Sequence, residues 1–254
     1  MEKHNRILVV VPCFNEAERL PVDEFLRAAQ KAGSALDFLF VNDGSRDATA
    51  DVLQNMKSRQ PDRILYLEMP RNAGKAEAVR QGVLQGMKMG AYRFIGFLDA
   101  DLSSPPEEIE FLRQYSSFLG GGHEFMFGSR MKHLGTDIQR HPLRHYFGRI
   151  AATAASLSLE LPVYDTQCGV KLFGSSICEK LFETPFLSRW LFDVEIFFRL
   201  KAHFSKEEFQ QKVLEIPLRV WKETSGTKLN LRDVVKVPLE LWKIHRHYAG
   251  NNRF

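Results

Sequence analysis

Two carboxylates one residue apart, Asp99 and Asp101, follow the apolar run at residues 94–98 and precede Ser104, Pro105 and Glu107. Two acids in that position suit a hard divalent cation, because Mg²⁺ takes one or two carboxylates and completes its shell with substrate phosphates. Taken alone, Asp-x-Asp is equally well a solvated acidic turn. The run at 94–98 has the length of a buried strand. Ser104 as N-cap, Pro105 at the first helical position and Glu107 three residues after the cap predict a helix starting there. The acidic pair then lies in a strand-to-helix turn, where open α/β sheets bind ligands.

Three other polar clusters end apolar runs in the same way. Pro12-Cys-Phe-Asn-Glu16 follows residues 7–11, Asn42-Asp43 follows 37–41, and Ser129-Arg130 follows 125–128. In a parallel sheet these ends share one edge, so the four clusters converge on one site. Helices are expected at about 15–31 (capped by Asn15), from Ser45 or Asp47 to about 58, at 76–89, from Pro105, and at 144–159, 175–182, 192–203 and 230–248. Further strands are expected at 64–67 and 213–220, and polar residues 131–142 read as a loop. Strands alternating with helices predict an α/β fold with a mostly parallel sheet covered on both faces. Gly82, Gly86 and Gly90, four apart on one helix, predict close packing of that helix on the sheet.

The 254 residues are 44% hydrophobic and 26% charged, which suits one large α/β domain, and a net charge of only +4 argues against nucleic-acid binding. Three cysteines without a C-x-x-C pair read as free thiols in a reducing compartment. The apolar run near the N-terminus is too short for a signal peptide, and no stretch reaches the roughly 20 apolar residues of a spanning helix. The expected location is the cytoplasm, or the cytosolic face of a membrane. The chain has no G-x-G-x-x-G, Walker lysine, H-E-x-x-H or G-x-S-x-G pattern, which disfavours dehydrogenase, P-loop, zinc-hydrolase and serine-hydrolase chemistry.

Eight segments resemble glycosyltransferase family 2, within it the polyprenyl-phosphate sugar transferases, the glucosyl branch before the mannosyl one. They are Val11-Pro-Cys-Phe-Asn-Glu16, Val41-Asn-Asp-Gly-Ser45, Arg71-Asn-Ala-Gly-Lys75, Leu98-Asp-Ala-Asp-Leu-Ser103 and Gly128-Ser-Arg130. Asp165-Thr-Gln-Cys-Gly-Val-Lys-Leu-Phe173, Arg189-Trp-Leu-Phe-Asp-Val-Glu195 and Gly226-Thr-Lys-Leu229 follow. The resemblance implies a GT-A fold, a mostly parallel mixed sheet with helices on both faces. It also implies an inverting, metal-dependent transfer of a hexose from a nucleotide sugar. Pro12, Phe14, Glu16, Val41 and Asp43 would line the nucleotide, with Arg71 a further candidate.

Asp101 would be the main ligand of Mg²⁺ or Mn²⁺, and Asp99 would meet the ribose, the sugar or the metal. Ser103 stands where some relatives place a glutamine ligand. Arg130 and Lys228 match positions that meet phosphates. Asp165 is the first candidate for orienting or deprotonating the acceptor, with Asp193 and Glu195 second. The implied donor is UDP-glucose, with GDP-mannose the alternative, and the implied acceptor is a polyprenyl phosphate. A polysaccharide or small hydroxyl acceptor is the same-class rival; a nucleotidyltransferase and a non-catalytic nucleotide-sugar sensor are rivals of other classes. Residues 1–229 would form the catalytic domain and 230–254 a basic amphipathic helix and tail, lying on an anionic bilayer or packed against the domain or a second subunit.

Overall fold

Uninterrupted β-branched and aromatic runs form strands when both faces are covered, and the first two strands illustrate it. In the computed structural model, β1 (Ile7–Cys13) is almost entirely buried and β2 (Leu36–Asn42) is buried at every residue. The structure describes residues 6–31, 33, 35–90, 92–140, 142–224 and 231–249, without the side chains of 142–147 and 231–236. Between and after these strands come α1 (Val22–Gln30), α2 (Thr49–Arg59), β3 (Ile64–Glu68), α3 (Lys75–Met89), β4 (Phe94–Phe97) and α4 (Glu107–Phe118). The second half holds β5 (Phe125–Ser129), β6 (Asp137–Gln139), α5 (Pro142–Leu159), β7 (Lys171–Gly174), α6 (Ser175–Phe182) and α7 (Phe192–His203). It closes with α8 (Lys206–Lys212), β8 (Val213–Pro217), β9 (Val220–Lys222) and α9 (Leu231–Tyr248).

Seven strands form one sheet in the order β3-β2-β1-β4-β7-β5-β8, and β6 pairs with β9 in a small second sheet. Only β7 runs antiparallel to its neighbours, β4 and β5. The mostly parallel mixed sheet implied by the resemblance is therefore present. Alternation along β1 feeds two cores: Leu8 and Val10 pack with α3, α6 and α7, while Ile7, Val9 and Val11 pack with α1, α2 and α4. Gly82 and Gly86 let α3 lie directly on the sheet. A Cβ at Gly82 would stand 2.4 Å from Val10 Cγ1, and one at Gly86 2.5 Å from Leu8 Cδ2.

Several expected boundaries differ. Asn15 does not cap a helix; its φ is 53°, its N–H donates to Ser45 Oγ, and α1 begins only at Val22. Ser104 does not cap α4, which starts at Glu107 with no side-chain cap. A proline disfavours the helical conformation of the residue before it, so the Pro105–Pro106 pair delays the helix. Residues 131–142 are not simply a loop, because β6 pairs there with β9. The strand expected at 213–220 is divided between β8 and β9.

Candidate active site

The C-terminal ends of β1, β2, β4 and β5 meet as parallel strands require. The Asp43 N–H donates to Cys13 O at 2.8 Å, joining the ends of β1 and β2. Asp43 itself accepts from Ala73 N at 2.7 Å, Gly74 N at 2.8 Å and Asn72 Nδ2 at 3.0 Å, which fixes the turn before α3. Burial raises its pKa more than those N–H groups lower it. Gly44 is needed beside it: its φ is 62°, and a Cβ would stand 2.5 Å from the Arg71 carbonyl carbon. Above these ends opens a cavity of about 990 Å³, whose wall includes Pro12, Phe14, Glu16, Asp43, Asp99 and Asp101.

Two nucleotide candidates lie elsewhere. Val41 is fully buried in the core beneath the cavity. Arg71 is exposed, and its neighbour Asn72 takes the place on the wall. A β-branched residue in a two-sided strand packs into the core, which explains Val41. The short turn presents residue 72 because residues 73 and 74 are tied to Asp43.

Asp101 is surrounded by oxygen. Its Oδ1 accepts from Ser103 N at 3.0 Å and Ser103 Oγ at 2.9 Å, and its Oδ2 from Thr224 Oγ1 at 2.6 Å. Carboxylate and hydroxyl oxygens fit a hard cation such as Mg²⁺ or Mn²⁺. Among the described residues no three His, Cys, Asp or Glu side chains cluster as a ready-made metal cage. A cation here would draw its remaining ligands from a substrate phosphate and water. Asp99, next along the turn, is 2.5 Å from the ammonium of Lys75. Gly169 makes room for it, since a Cβ there would stand 2.2 Å from Asp99 Oδ2. Burial lowers the Lys75 pKa, but Asp99, Asp193 and Asp101 together outweigh it, so the pKa is raised and the side chain stays charged.

Asp165 lies on the other side of the cavity in the grip of two guanidiniums. Arg130 holds it in fork geometry, Nε to Oδ2 at 2.7 Å and Nη2 to Oδ1 at 2.8 Å, and Arg140 reaches it at 3.4 Å. Both guanidiniums also lie over the Trp221 ring, at 5.4 and 5.1 Å. Burial alone would raise the Asp165 pKa, but the two arginines overcome it and hold the carboxyl at about 2. So weak a base cannot usefully deprotonate an acceptor. Of the two roles expected of Asp165, the geometry favours orientation, through Arg130 and Arg140, over deprotonation of an acceptor. Arg149 stands nearby over the Tyr164 ring at 3.8 Å.

Asp193 reaches the wall, but its carboxylate is 2.6 Å from the fully buried Lys171, and burial raises its pKa against the pull of Lys171 and Lys75. Glu195 does not reach the cavity. It is fully buried, accepting from Leu187 N at 2.8 Å, Arg199 Nη2 at 2.7 Å and Tyr248 Oη at 2.9 Å, so its role is structural and the catalytic expectation is corrected. Lys228 lies outside the described residues.

Beyond the arginines the wall turns apolar, with Ala151, Ala152 and Ala155 of α5 facing Leu191, Val237 and Leu241. Helix α9 supplies the last two, from a face whose Val237, Leu241 and Ile244 are all buried. Lys75, Arg140, Arg149, Trp221 and Thr224 were not expected from sequence. Lys75 carried a signal: a cation at the first position of a helix opposes the macrodipole, so something else must hold it. Arg140 and Trp221 carried none, because the β6–β9 pair that presents them is only three residues long on each side.

Residues 8–182 match the family model of Glycosyl transferase family 2. Dolichyl-phosphate beta-glucosyltransferase ALG5A of Trichomonas vaginalis is 30% identical over 245 residues, 93% of this chain and 72% of that protein. The dolichyl-phosphate beta-glucosyltransferase of Drosophila melanogaster is 33% identical over 238 residues, 87% of this chain and 68% of that protein. Among solved structures, glucosyl-3-phosphoglycerate synthase from Mycobacterium tuberculosis, in complex with Mn²⁺, UDP-glucose and phosphoglyceric acid, has a TM-score of 0.62 at 14% identity. That likeness covers 97% of this chain and 80% of the other, and it carries the fold, GT-A. The acidic turn and the strand-end cavity thus have a family to belong to: this chain is a member of glycosyl transferase family 2, a nucleotide-sugar-dependent glycosyltransferase.

Proposed function

We propose that the enzyme moves glucose from UDP-glucose onto a polyprenyl monophosphate, inverting the anomeric carbon, with Mg²⁺ or Mn²⁺ held at Asp101. The observation that carries this reading is the composition of one cavity. A carboxylate-edged half adjoins an arginine wall, and the arginine wall adjoins an apolar arm between α5 and α9. A nucleotide sugar, a phosphate and a hydrocarbon chain suit those three parts in order. The names of the two relatives support glucose and a dolichyl phosphate as the substrate classes.

The chemistry follows from where charge develops. As the sugar–phosphate bond breaks, the departing nucleoside diphosphate gains negative charge, and Lys75 and Arg189 on that wall lie within its half of the cavity. A divalent cation held by Asp101 would supply Lewis-acid stabilisation of that developing charge. Arg130 and Arg140, braced by Asp165 and Trp221, line the cavity where the acceptor phosphate would lie, and guanidiniums suit a phosphate because they donate in fork geometry. A phosphate monoester has its second pKa near ~6 and arrives largely as a dianion at neutral pH. It needs no general base, which agrees with Asp165 being unfit for that task.

The outward side of the α5–α9 layer bears on where the acceptor comes from. The two helices lie together, His245 Nδ1 meeting Ser158 O at 3.1 Å. They turn Ile150, Leu157, Leu239 and Trp242 to solvent, the last beneath the Arg246 guanidinium. Among the described residues no helix is long and apolar enough to cross a membrane. An apolar, basic-edged face suits peripheral contact with the cytosolic side of a bilayer. In this reading α9, within the expected C-terminal segment 230–254, serves as both acceptor wall and membrane contact for the catalytic domain of 1–229.

The test is transfer of label from UDP-[¹⁴C]glucose to a polyprenyl monophosphate in detergent with Mn²⁺. An organic-soluble, β-linked product is expected. Label passing only into water-soluble acceptors would overturn the lipid reading.

A further inference from the structure

Lys75 occupies the place where a metal-binding turn would be expected to keep its carboxylates open. It is the first residue of α3, and its ammonium lies 2.5 Å from Asp99 Oδ1. It also lies over the rings of Phe97 and Phe192, at 5.7 and 6.0 Å. Asp193, the next acid inward, faces Lys171 at 2.6 Å. Lysines therefore stand against Asp99 and Asp193, whereas among the described residues Asp101 accepts from the hydroxyls of Ser103 and Thr224 and from the Ser103 N–H.

We propose that Lys75 is a resident counter-ion that withholds Asp99 from the divalent cation until the nucleotide diphosphate arrives, so that metal and donor enter as a pair. This rests on the metal reading given above. With Asp99 neutralised, a lone cation finds one carboxylate and a nearby ammonium that repels it. A diphosphate reverses both conditions, because it brings anionic oxygens for the cation and a new partner for the ammonium. Lys75 is in this sense a positioning residue, acting through Asp99. The consequence is thermodynamic coupling: nucleotide must raise metal affinity and metal must raise nucleotide affinity by the same factor.

The experiment is a Mn²⁺ titration of the full chain followed by electron paramagnetic resonance of free Mn²⁺, with and without UDP. Wild type should bind Mn²⁺ alone weakly and much more tightly with UDP. Lys75→Met, whose side chain fills the space between two aromatic rings, should bind Mn²⁺ alone about tenfold more tightly as Asp99 becomes a second carboxylate. Its gain from UDP should shrink. Lys75→Arg, which keeps the charge, should behave as wild type, and adding Asp99→Asn to Lys75→Met should cancel the gain. Unchanged Mn²⁺ affinity in Lys75→Met, with wild type binding normally, would overturn the proposal alone. No Mn²⁺ binding to wild type even with UDP would overturn the metal reading together with it.

Discussion

Asp99 and Asp101 look alike in the sequence and are unlike in the fold. Asp99 is paired with a lysine, while among the described residues Asp101 accepts hydrogen bonds from neutral donors, Ser103 and Thr224. Replacing Asp101 with alanine should therefore lower turnover at least ~100-fold, roughly 2.7 kcal/mol of transition-state stabilisation, with the thermal unfolding midpoint little changed. Asp165 belongs to a different class. Its pKa, held at about 2 by Arg130 and Arg140, lies below the value for an unfolded chain. A depressed carboxylate pKa contributes stability that is present above the unfolded value and is lost as pH falls through the folded one. Wild type should therefore lose stability relative to Asp165→Asn between about pH 4 and about pH 2, measured by urea unfolding; equal slopes would remove the ion pair's part. The acids at strand ends were legible because residue type and position coincided. Which of them faces an ion partner was not, since those partners come from residues 22 to 35 positions away, as Lys171 does for Asp193 and Arg130 for Asp165.

The elements were legible where hydrophobic period and length agreed, as in β1, β2, α3 and α7. They were misread where local chemistry competed. Asn15 resembles a cap, yet its side chain accepts from Arg46 N and ties the β1 loop to the β2 loop instead. Strand β7 was missed because it is four residues long and begins with a lysine, and Lys171 is fully buried only because Asp193 and Cys168 O receive it. The glycine spacing in α3 means close packing at Gly82 and Gly86, whereas Gly90 is the left-handed C-cap and an added Cβ there would meet nothing within 4 Å. Gly82→Ala should cost about 1–3 kcal/mol through overpacking against Val10, seen as a lower denaturant midpoint. Folded protein of that variant should retain its turnover, because the strain lies beneath the site; a stable variant would mean that α3 can lift off the sheet.

At the scale of the whole molecule, the parallel sheet gathers the groups of the proposed donor half along one edge, and α9 supplies part of the wall of the proposed acceptor half. The donor half was visible in the sequence, because each strand end announces itself. The acceptor half was not: its apolar arm is assembled from α5, α7 and α9, helices whose faces show nothing special until they meet. Leu241→Glu places a charge in that arm and should raise KM for a lipid acceptor at least ~10-fold while leaving the affinity for UDP unaltered.

The central claim is that phosphate and chain are both recognised, so the direct measurement is kcat/KM for three acceptors in one detergent system: a polyprenyl phosphate, the polyprenol of equal length, and a short alkyl phosphate. Only the polyprenyl phosphate should be used efficiently, the alcohol failing because the arginine wall is left unpaired and no base serves the hydroxyl. Equal use of the alcohol, or of the short phosphate, would contradict the account.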